Sequence, residues 1–501
     1  MRRPGGATGP SITSAGVERA EAVVVGSGPN GLAAALTLAR AGVGVEVYEG
    51  AATVGGGTRT EALTLEGFSH DVCSAVHPLL EVSPFFRTLD LEGLGIRLRQ
   101  PEVAFAHPLG AARAAAVYRD VGETASHLGG DAAAYRALLG PLVDWLGSVA
   151  DYVLTPMRAV PRDPLALARF ALVGTPSAAH VSRRFSTDAA RAIVGGAAAH
   201  SMQPLTAPLT AAFGLLLTAL GHGAGWPVVE GGSAAIAEGL AAEVRRRGGV
   251  VHTGRWVTSL DEVDGARAVL LDVSPRQFLR IAGTRVSRRA GRPWARFRPG
   301  PGACKVDWAL DAPVPWSAEA CRRTVTVHVG GTFDEVARSE AAVRVGRHPD
   351  RPFVLVAQPG VVDPTRAPTG KETLWAYCHV PNGSDVDMSE RMEAQIERFA
   401  PGFRDLVLAR TVRTAAAAES DNPNLLGGDV NGGAATLRQT AFRPVARWNP
   451  YRTPLSGVYL CSASTPPGGG VHGMCGVAAA EAALKERFER GPGPVPVRRG
   501  R

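Results

Sequence analysis

The feature that most constrains the fold is a glycine-rich turn between an apolar run and a helix-forming segment near the start of the chain. Residues 22–25 read AVVV and residues 32–40 read LAAALTLAR. Glycines at the spacing GxGxxG permit a tight turn, a close approach of the backbone to phosphate and close packing of the helix on the strand. The residues of the turn are Gly26, Ser27, Gly28, Pro29, Asn30 and Gly31. The turn therefore predicts a strand-turn-helix unit that binds the pyrophosphate of a dinucleotide at the helix N-terminus.

An acidic residue downstream of the turn supports this prediction. A second strand is predicted over residues 43–48, and Glu49 follows it. A carboxylate about 20 residues beyond the glycines can accept hydrogen bonds from the ribose hydroxyls of an adenosine. A glycine-rich turn alone occurs in many α/β proteins, but the two strands, the helix and Glu49 together indicate dinucleotide binding.

A second glycine cluster indicates which dinucleotide is bound. Residues 55–60 read GGGTRT, and the contacts expected within them are Gly56, Gly57, Thr58 and Arg59. Additional backbone N–H groups and an arginine suit the flavin side of the pyrophosphate, which an extended FAD needs. The cluster favours FAD over NAD, while a flexible loop is the alternative for this segment taken alone.

The tail of the chain repeats the pattern of strand, glycine loop and helix. Residues 468–473 read GGGVHG, and an alanine-rich helix is predicted directly after them. Backbone free of side chains ahead of a helix N-terminus is suited to hydrogen-bonding the ribityl chain and the flavin edge, where negative charge accumulates on reduction. The predicted contacts in this tail loop are Gly470, Val471, His472 and Met474.

These motifs, together with residues 226–232 (WPVVEGG) and 303–310 (ACKVDWAL), resemble the FAD-dependent phytoene desaturase-like family. That family lies within the wider amine oxidase and GDP-dissociation-inhibitor superfamily. The likeness runs from residue 21 to about residue 488 and looks closest to the bacterial branch related to the pyridine nucleotide-disulfide oxidoreductase domain-containing proteins. It implies an α/β fold, in which a discontinuous Rossmann-like FAD-binding domain is joined to a mixed α+β substrate-binding domain.

The resemblance also implies how the chain divides. The FAD-binding domain is expected to comprise residues 21–75, 225–300 and 430–488, and the substrate domain residues 76–224 and 301–429. Flexible segments are expected at residues 1–20 and 489–501. Val257 is implied to contact the adenine through its backbone. Many flavoproteins of the superfamily carry an acidic residue near the position of Ser462, and its absence here, as in the desaturase branch, leaves the ribityl contact unassigned.

Two residues are candidates for catalysis. Lys305 lies in a strand that resembles the amine oxidase strand whose lysine approaches flavin N5 through water; the alternative is a strand-end lysine that reaches solvent. His472 lies in the tail loop, so we expect it to act as an acid or base or to position the flavin ring. A structural histidine that caps the last helix is the alternative for His472. A third histidine, His77, is interpreted as a loop residue.

Composition and charge exclude several function classes. The formal net charge is +8, but the basic residues are scattered and form no stripe interleaved with aromatics, so nucleic-acid binding is not expected. The six cysteines stand far apart, without the paired spacing of a zinc site, and no metal site is predicted. Residues 1–16 lack the apolar region of an export signal, which predicts a cytoplasmic location.

One long segment could contact a membrane. Residues 192–229 contain no Asp, Glu, Lys or Arg, but Pro204 and Pro208 interrupt the segment and leave residues 209–220 as its longest helical part. That length fits a buried core helix, while a segment that dips into a membrane is the alternative. Peripheral membrane association is therefore retained beside the cytoplasmic prediction.

The sequence therefore predicts an FAD-dependent oxidoreductase that desaturates or oxidises a largely apolar small molecule by hydride transfer to flavin N5. Residues 221–225 (GHGAG) run into Trp226 instead of a helix, so they fail as a second nucleotide site, and oxygen or a quinone is expected to accept the electrons. A flavin amine oxidase is one alternative. A non-enzymatic protein that binds lipid or prenyl groups, as the GDP-dissociation inhibitors do, is the other.

Overall fold

The computed structural model describes residues 20–110, 112–155 and 160–491. Most of the two ends predicted to be flexible, at residues 1–20 and 489–501, lies outside these described residues. The strands are β1 (Ala22–Val25), β2 (Val45–Tyr48), β3 (Thr60–Glu61), β4 (His70–Asp71), β5 (Leu98–Arg99), β6 (Val103–Gly110), β7 (Arg113–Tyr118), β8 (Val228–Val229), β9 (Val250–His252), β10 (Ala268–Leu271), β11 (Gly302–Leu310), β12 (Thr326–Val329), β13 (Val354–Ala357), β14 (Glu372–Val380), β15 (Val407–Arg413) and β16 (Val458–Leu460).

The α-helices lie between and around these strands. They are α1 (Pro29–Arg40), α2 (Pro78–Val82), α3 (Val121–Ser126), α4 (Ala132–Asp144), α5 (Leu146–Val153), α6 (Pro164–Gly174), α7 (Ala178–Ser182), α8 (Asp188–Ala199), α9 (Thr210–Gly223), α10 (Ala234–Arg246), α11 (Pro275–Ala282), α12 (Arg288–Ala295), α13 (Glu319–Arg322), α14 (Phe333–Arg344), α15 (Ser389–Glu397), α16 (Ala415–Asp421), α17 (Leu437–Ala441) and α18 (Met474–Ala483).

The first of two main sheets is parallel, with strand order β16-β10-β1-β2-β9. Every residue of β1 is buried, because helices α1, α10 and α18 cover one face and the segment around α11 and α12 covers the other. A strand covered on both faces reads as an unbroken apolar run, which accounts for the sequence AVVV. This sheet and its helices confirm the predicted Rossmann-like unit.

The second main sheet is mixed, with order β15-β11-β14-β13-β12-β6-β7, and only the β12–β6 pair is parallel. One face carries an apolar core closed by α15, and the other faces α8 and α9. Side chains alternate between these faces along each strand. Cys304 and Val306 on β11 therefore point to the α15 core, while Lys305 and Asp307 point to the opposite face. The predicted mixed α+β part of the fold is confirmed.

The two sheets draw on separate stretches of the chain. The parallel sheet takes its strands from residues 22–48, 250–271 and 458–460, and the mixed sheet from residues 103–118 and 302–413. The exact boundaries of the two domains stay a prediction. Within the charge-free segment, α8 and α9 pack together in the core, and no helix of the described ranges is both long and apolar enough to cross a membrane.

Candidate FAD and substrate site

The predicted glycine turn joins β1 to α1. Gly26 has φ +98°, a left-handed conformation that favours glycine. A Cβ added at Gly31 would clash with the carbonyl oxygen of Gly26, so helix and turn touch backbone to backbone. Gly28 is the N-cap residue of α1, with Pro29 as the first helical residue and Asn30 buried behind it. The turn has the open backbone that a pyrophosphate requires.

Glu49 lies directly after β2, beside this turn. Its Oε2 accepts hydrogen bonds from the backbone N–H and the hydroxyl of Ser27, at 2.9 and 2.5 Å, and its Oε1 accepts one from Ala51 N at 2.8 Å. These three donors fix the carboxylate at the carboxyl edge of the parallel sheet, next to the glycine turn. The position suits a carboxylate that binds the ribose of the same dinucleotide.

The Val257 segment runs next to Glu49. Arg255 N donates to Glu49 O at 2.7 Å, and Gly254 N donates to Ala51 O at 2.7 Å. Val257 itself is buried under the sheet, where it packs in the same cluster as Val23 and Val25. This places the backbone of the segment at the same edge as Glu49, where the adenosine end of the cofactor is expected.

The second glycine cluster folds against the first. Gly55 N donates to Ser27 O at 3.1 Å, and a Cβ added at Gly56 would lie 3.2 Å from the Cα of Gly28. The hydroxyl of Thr58 donates back to Gly55 O at 2.9 Å and closes the loop. The two glycine loops therefore form one continuous cradle of backbone.

Gly57 and Arg59 complete the second cluster. Next to Gly57 lies Cys73, and a Cβ added at Gly57 would meet only Cys73 atoms, at 3.8 and 4.0 Å. In this structure Arg59 donates to Gly56 O at 3.3 Å and pairs with Glu61 at 3.3 Å. The guanidinium group of Arg59 therefore lies beside the cradle, between Gly56 and Glu61.

An acidic residue that the sequence reasoning missed lies inside the cradle. Asp272 follows β10, and its Oδ2 accepts a hydrogen bond from Gly31 N at 2.9 Å. A Cβ added at Gly28 would lie 2.7 Å from the same oxygen. Burial, with a smaller contribution from Glu49, raises the pKa of Asp272 to about 7. The sequence signal for Asp272 was an acidic residue directly after an apolar strand. Such a residue lies at the carboxyl edge of a parallel sheet, where the ends of the strands meet.

The tail loop reaches the same place from the other end of the chain. Gly470 has φ +124°, and Val471 packs against the core of the parallel domain. A Cβ added at Gly473 would lie 2.9 Å from the Cβ of Ala33, which lies in α1. One added at Gly476 would clash with the carbonyl oxygen of Asn30. The N-termini of α1 and α18 therefore meet side by side at the cradle.

His472 is held within the tail loop by three hydrogen bonds. Its Nδ1 accepts from Met474 N at 3.0 Å, and its Nε2 lies 3.2 Å from Gly468 O. Its carbonyl oxygen accepts from the hydroxyl of Ser83 at 2.6 Å. Burial lowers the pKa of His472 to about 4, so the ring is neutral and carries its proton on Nε2. These contacts favour the helix-capping interpretation over the acid-base one.

Taken together, the cradle fits the FAD that the sequence predicts. Three glycine loops from distant parts of the chain present backbone to one space, and side chains are sterically excluded at several of their positions. Two helix N-termini lie there, and the position of Glu49 suits an acceptor for ribose hydroxyls. His77, the third histidine considered, is buried, and its Nε2 lies 2.8 Å from the hydroxyl of Ser233.

Lys305 is buried in the middle of β11, so the alternative of a strand-end lysine that reaches solvent is wrong. Its Nζ donates to both carboxylate oxygens of Asp307, and lies 5.4 Å from the ring centroid of Trp375. Burial lowers the pKa of Lys305 and raises that of Asp307, while the attraction between the two charges acts in the opposite direction. His70 adds a ring nitrogen 3.5 Å from Asp307.

Three aromatic residues on the same sheet face escaped the sequence reasoning. Tyr377 pairs directly with Lys305 across β14 and β11. The ring of Tyr377 stacks with that of Trp375, at 5.8 Å and 18°, and lies 5.6 Å from the ring of His379. Tyr377 keeps part of its surface accessible, although the other residues of β14 are buried. The alternation W-A-Y-C-H in the sequence was the available signal.

Comparison with known proteins identifies a family of flavoproteins. A family profile described as flavin containing amine oxidoreductase matches residues 30–280, which is about half of the 501-residue chain. Pyridine nucleotide-disulfide oxidoreductase domain-containing protein 2 of Rattus norvegicus is 26% identical over 93% of both chains. The neurosporene-forming phytoene desaturase of Rhodobacter capsulatus is 32% identical over 25% of both chains.

A solved structure extends the likeness to the fold. An oxidoreductase from Methanosarcina mazei superposes with a TM-score of 0.61 at 17% identity, covering 93% of this chain and 99% of that one. The chain belongs to the flavin-containing amine oxidoreductase family, and it is an FAD-dependent oxidoreductase.

Proposed function

We propose that this enzyme desaturates or oxidises a largely apolar small molecule. The observation that carries the proposal is the surface of α9, where Phe213, Leu216 and Leu217 are partly accessible although no charged residue lies on the helix. Leu216, Leu217 and Tyr377 pack against one hydrophobic cluster. Lys305, a cation on the sheet face opposite to the α15 core, is already paired with Asp307. Burying an unpaired charge against such a surface costs several kcal/mol, so an apolar substrate is favoured.

We propose that the cradle residues hold FAD in the order of its parts. Glu49 and the backbone at Val257 bind the adenosine, and the turn from Gly26 to Gly31 binds the pyrophosphate. The segment from Gly56 to Arg59 and the loop from Gly470 to Met474 bind the flavin side. FAD, when bound, accepts a hydride from a substrate carbon.

The two candidate catalytic residues receive different roles. We propose that Lys305 orients a water molecule on the substrate side, because its ammonium group has three donors and Asp307 accepts only part of them. His472 serves as a positioning residue, since both of its ring nitrogens are used to close the tail loop onto α18. A group held in this way fixes the loop backbone and does not exchange protons with a substrate.

Oxygen or a quinone remains the proposed electron acceptor. The GHGAG segment lies at the end of α9, where a Cβ added at Gly221 would meet Val117 and Phe105 at 3.3 and 3.4 Å. His222 in the same segment lies 2.8 Å from the hydroxyl of Tyr135. These contacts pack the segment inside the substrate domain. They support an electron acceptor other than a nicotinamide cofactor bound at this segment.

We also propose that peripheral contact with a membrane supplies the apolar substrate. Leu165 and Leu172 on α6 are 59% and 77% exposed, and Val160 before the helix is 90% exposed. Arg162 and Arg169 accompany them. An exposed apolar stripe flanked by cations suits the surface of an anionic membrane. The cytoplasmic location stays a prediction.

Amine oxidation is the second candidate, and the stacked pair of Trp375 and Tyr377 is the observation that favours it. Against it, Lys305 already occupies the Asp307 carboxylate that an ammonium substrate near this pair would need. The two candidates are separated by mixing the enzyme anaerobically with polyene, isoprenoid, aromatic and amine compounds and following flavin bleaching. Rapid bleaching by a small hydrophilic amine, and by no apolar compound, would establish the amine oxidase.

Two variants test the proposed lining. Leu216→Asp is expected to slow bleaching by the apolar substrate at least tenfold with FAD still bound, because the carboxylate is placed against the substrate. Leu437→Asp is the matched control, since Leu437 is 57% exposed on α17. Equal rates of flavin bleaching in the two variants would show that α9 does not line the substrate cavity.

A further inference from the structure

A buried arginine packs against the tail loop. Arg443 follows α17 in the chain and is only 8% exposed. Its Nη2 donates to Gly432 O at 2.8 Å, and a Cβ added at Gly468 would clash with its Nη1. Gly468 is the first residue of the tail loop, so the guanidinium group lies between this loop and the backbone at Gly432.

Most of the hydrogen-bonding capacity of this guanidinium group is unused. Nε of Arg443 is buried and has no partner among the described residues. Within the same ranges, Gly432 O is the acceptor that the group reaches, although an arginine carries five N–H donors. Burying a charge without partners costs several kcal/mol, so a negative group beside Arg443 would stabilise this arrangement.

The chain itself offsets this charge only in part. Burial lowers the pKa of Arg443, and Cys475 and Asp429 act in the opposite direction. Burial also raises the pKa of the Cys475 thiol to about 11, so Cys475 is uncharged near neutral pH. The oxygens of Asp429 are held at 2.7 to 2.8 Å by backbone N–H groups, which belong to Gly300, Asn431 and Gly433. Asp429 therefore acts on Arg443 from a distance and not as an ion-pair partner.

Arg443 differs in this respect from the basic residues of the candidate site. Arg59 and Lys305 each form an ion pair with a carboxylate. Burial, with a smaller contribution from the charge of Arg443, lowers the pKa of His472 to about 4, so His472 is neutral. A guanidinium group, in contrast, keeps its proton at any ordinary pH. Arg443 is therefore a permanent positive charge whose field reaches the tail loop.

We propose that Arg443 supplies the positive charge that balances the flavin after reduction, and that it thereby raises the reduction potential of the bound FAD. The inference rests on the proposed placement of the flavin side at the tail loop. A hydride from a substrate carbon brings two electrons and one proton, which leaves one negative charge on the ring. A fixed cation in a site of low dielectric constant stabilises that charge without having to reorganise.

A purely structural role explains less of the geometry. The hydrogen bond to Gly432 O needs one N–H donor and no charge, so a neutral side chain such as glutamine would provide it. The charge of Arg443 is offset when a negative charge lies nearby, as it does after reduction. The N-terminus of α18 follows the tail loop directly, and its partial positive charge adds to the field of Arg443.

The first test measures the midpoint potential of the bound flavin against reference dyes, without substrate. Arg443→Gln keeps a donor for Gly432 O but no charge, so its equilibrium constant for reduction should fall at least tenfold, or about 30 mV for a two-electron couple. Arg443→Lys should keep most of the wild-type potential. Arg438→Gln makes the same change at an exposed position of α17 and is the control. A folded, FAD-loaded Arg443→Gln with the wild-type potential, or an equal fall in Arg443→Lys, overturns the inference.

The second test needs no variant, and it applies even where Arg443→Gln fails to fold. The full-length wild-type enzyme is reconstituted with 8-mercapto-FAD. The negative charge of this analogue stays on sulfur in a neutral site, which gives a red colour. It moves to the opposite edge of the ring where a cation lies there, and the colour changes to blue. We expect the blue form, and a red wild-type enzyme overturns the inference.

The outcomes separate this inference from the proposals on which it rests. Neither measurement uses a substrate, so failure of every apolar compound to bleach the flavin overturns the proposed substrate class and leaves both tests valid. A crystal structure of the holoenzyme locates the ring. A ring away from the tail loop overturns the placement, and the role of Arg443 with it. A ring at the tail loop, with an unchanged potential in Arg443→Gln, overturns the role of Arg443 alone.

Discussion

The carboxyl group inside the phosphate cradle gives the most quantitative prediction. Asp272 Oδ2 lies at the N-terminus of α1, where it accepts a hydrogen bond from Gly31 N. A pyrophosphate bound at this helix N-terminus would need the same N–H groups. Its ionised form repels a bound phosphate and is poorly solvated. Asp272→Asn keeps the size and an acceptor for Gly31 but removes the charge. We therefore expect this variant to be more stable than the wild type wherever Asp272 would be ionised.

The magnitude follows from the pKa of Asp272, which burial raises from 3.8 to about 7. Between these values the folded protein holds a proton that the unfolded chain has lost, so the free energy of unfolding falls as pH rises and levels off above the folded pKa. At about 1.4 kcal/mol per pH unit, the wild type loses about 2 kcal/mol between roughly pH 5.5 and pH 8.5. The asparagine variant does not share this loss. Bound FAD, being an anion, raises the pKa of Asp272 further and enlarges the difference.

Urea unfolding with excess FAD at these two pH values measures the effect. The stability difference between Asp272→Asn and wild type should shift in favour of the variant by at least about 2 kcal/mol on going to the higher pH. Asp385→Asn, which alters an exposed carboxyl group, should show no such shift. A variant that differs from wild type by the same amount at both pH values would show that Asp272 does not ionise in this range.

Three further changes test the cradle and the buried ion pair. Gly57→Ala should lower FAD affinity at least tenfold in a folded protein, because we assign Gly57 to the flavin side of the cradle and its Cβ meets no protein atom closer than 3.8 Å; flavin absorbance reports this. Gly476→Ala should destabilise the protein by more than about 3 kcal/mol, because its Cβ clashes with the backbone of α1, and thermal unfolding measures it. Lys305→Met should cost about 3–5 kcal/mol in urea unfolding by leaving Asp307 buried without a partner, and adding Asp307→Leu should restore much of it.

Each of these changes has a control or a contrary outcome. Gly130→Ala meets nothing within 4 Å and should leave both FAD content and stability unchanged. Full FAD content in Gly57→Ala would place the cofactor elsewhere. If Gly476→Ala unfolds at the same temperature as the wild type, α18 does not pack closely against α1 at this position. A double variant at positions 305 and 307 no more stable than Lys305→Met would mean that the pair is not the source of the cost.

The sequence was sufficient for features whose parts are contiguous along the chain. The turn from Gly26 to Gly31 and Glu49 were predictable because one strand, one turn and one helix bring them together with little help from elsewhere. The fold class followed for the same reason, since a parallel βαβ start limits the architectures available. The second and third glycine loops could be assigned to FAD from their own residues, but their meeting in one cradle depends on packing between distant segments.

Features that depend on pairing between distant strands were not predictable. Tyr377 and Lys305 become neighbours only through the register of β14 with β11, which no local pattern specifies. Asp272 reaches the cradle only because β10 pairs with β1. The burial of Lys305 stayed open between two alternatives, because the sequence did not show how far β11 extends on either side of it.

The arrangement of the parallel sheet has a consequence for how the enzyme is made. The sheet begins with β1 and is completed by β16, and the cradle closes only when α18 packs against α1. A ribosome must therefore translate the segment as far as Ala483 before these helices can meet, so the cofactor is captured after nearly all of the described chain has emerged. Prematurely terminated products that lack α18 therefore lack the closed site.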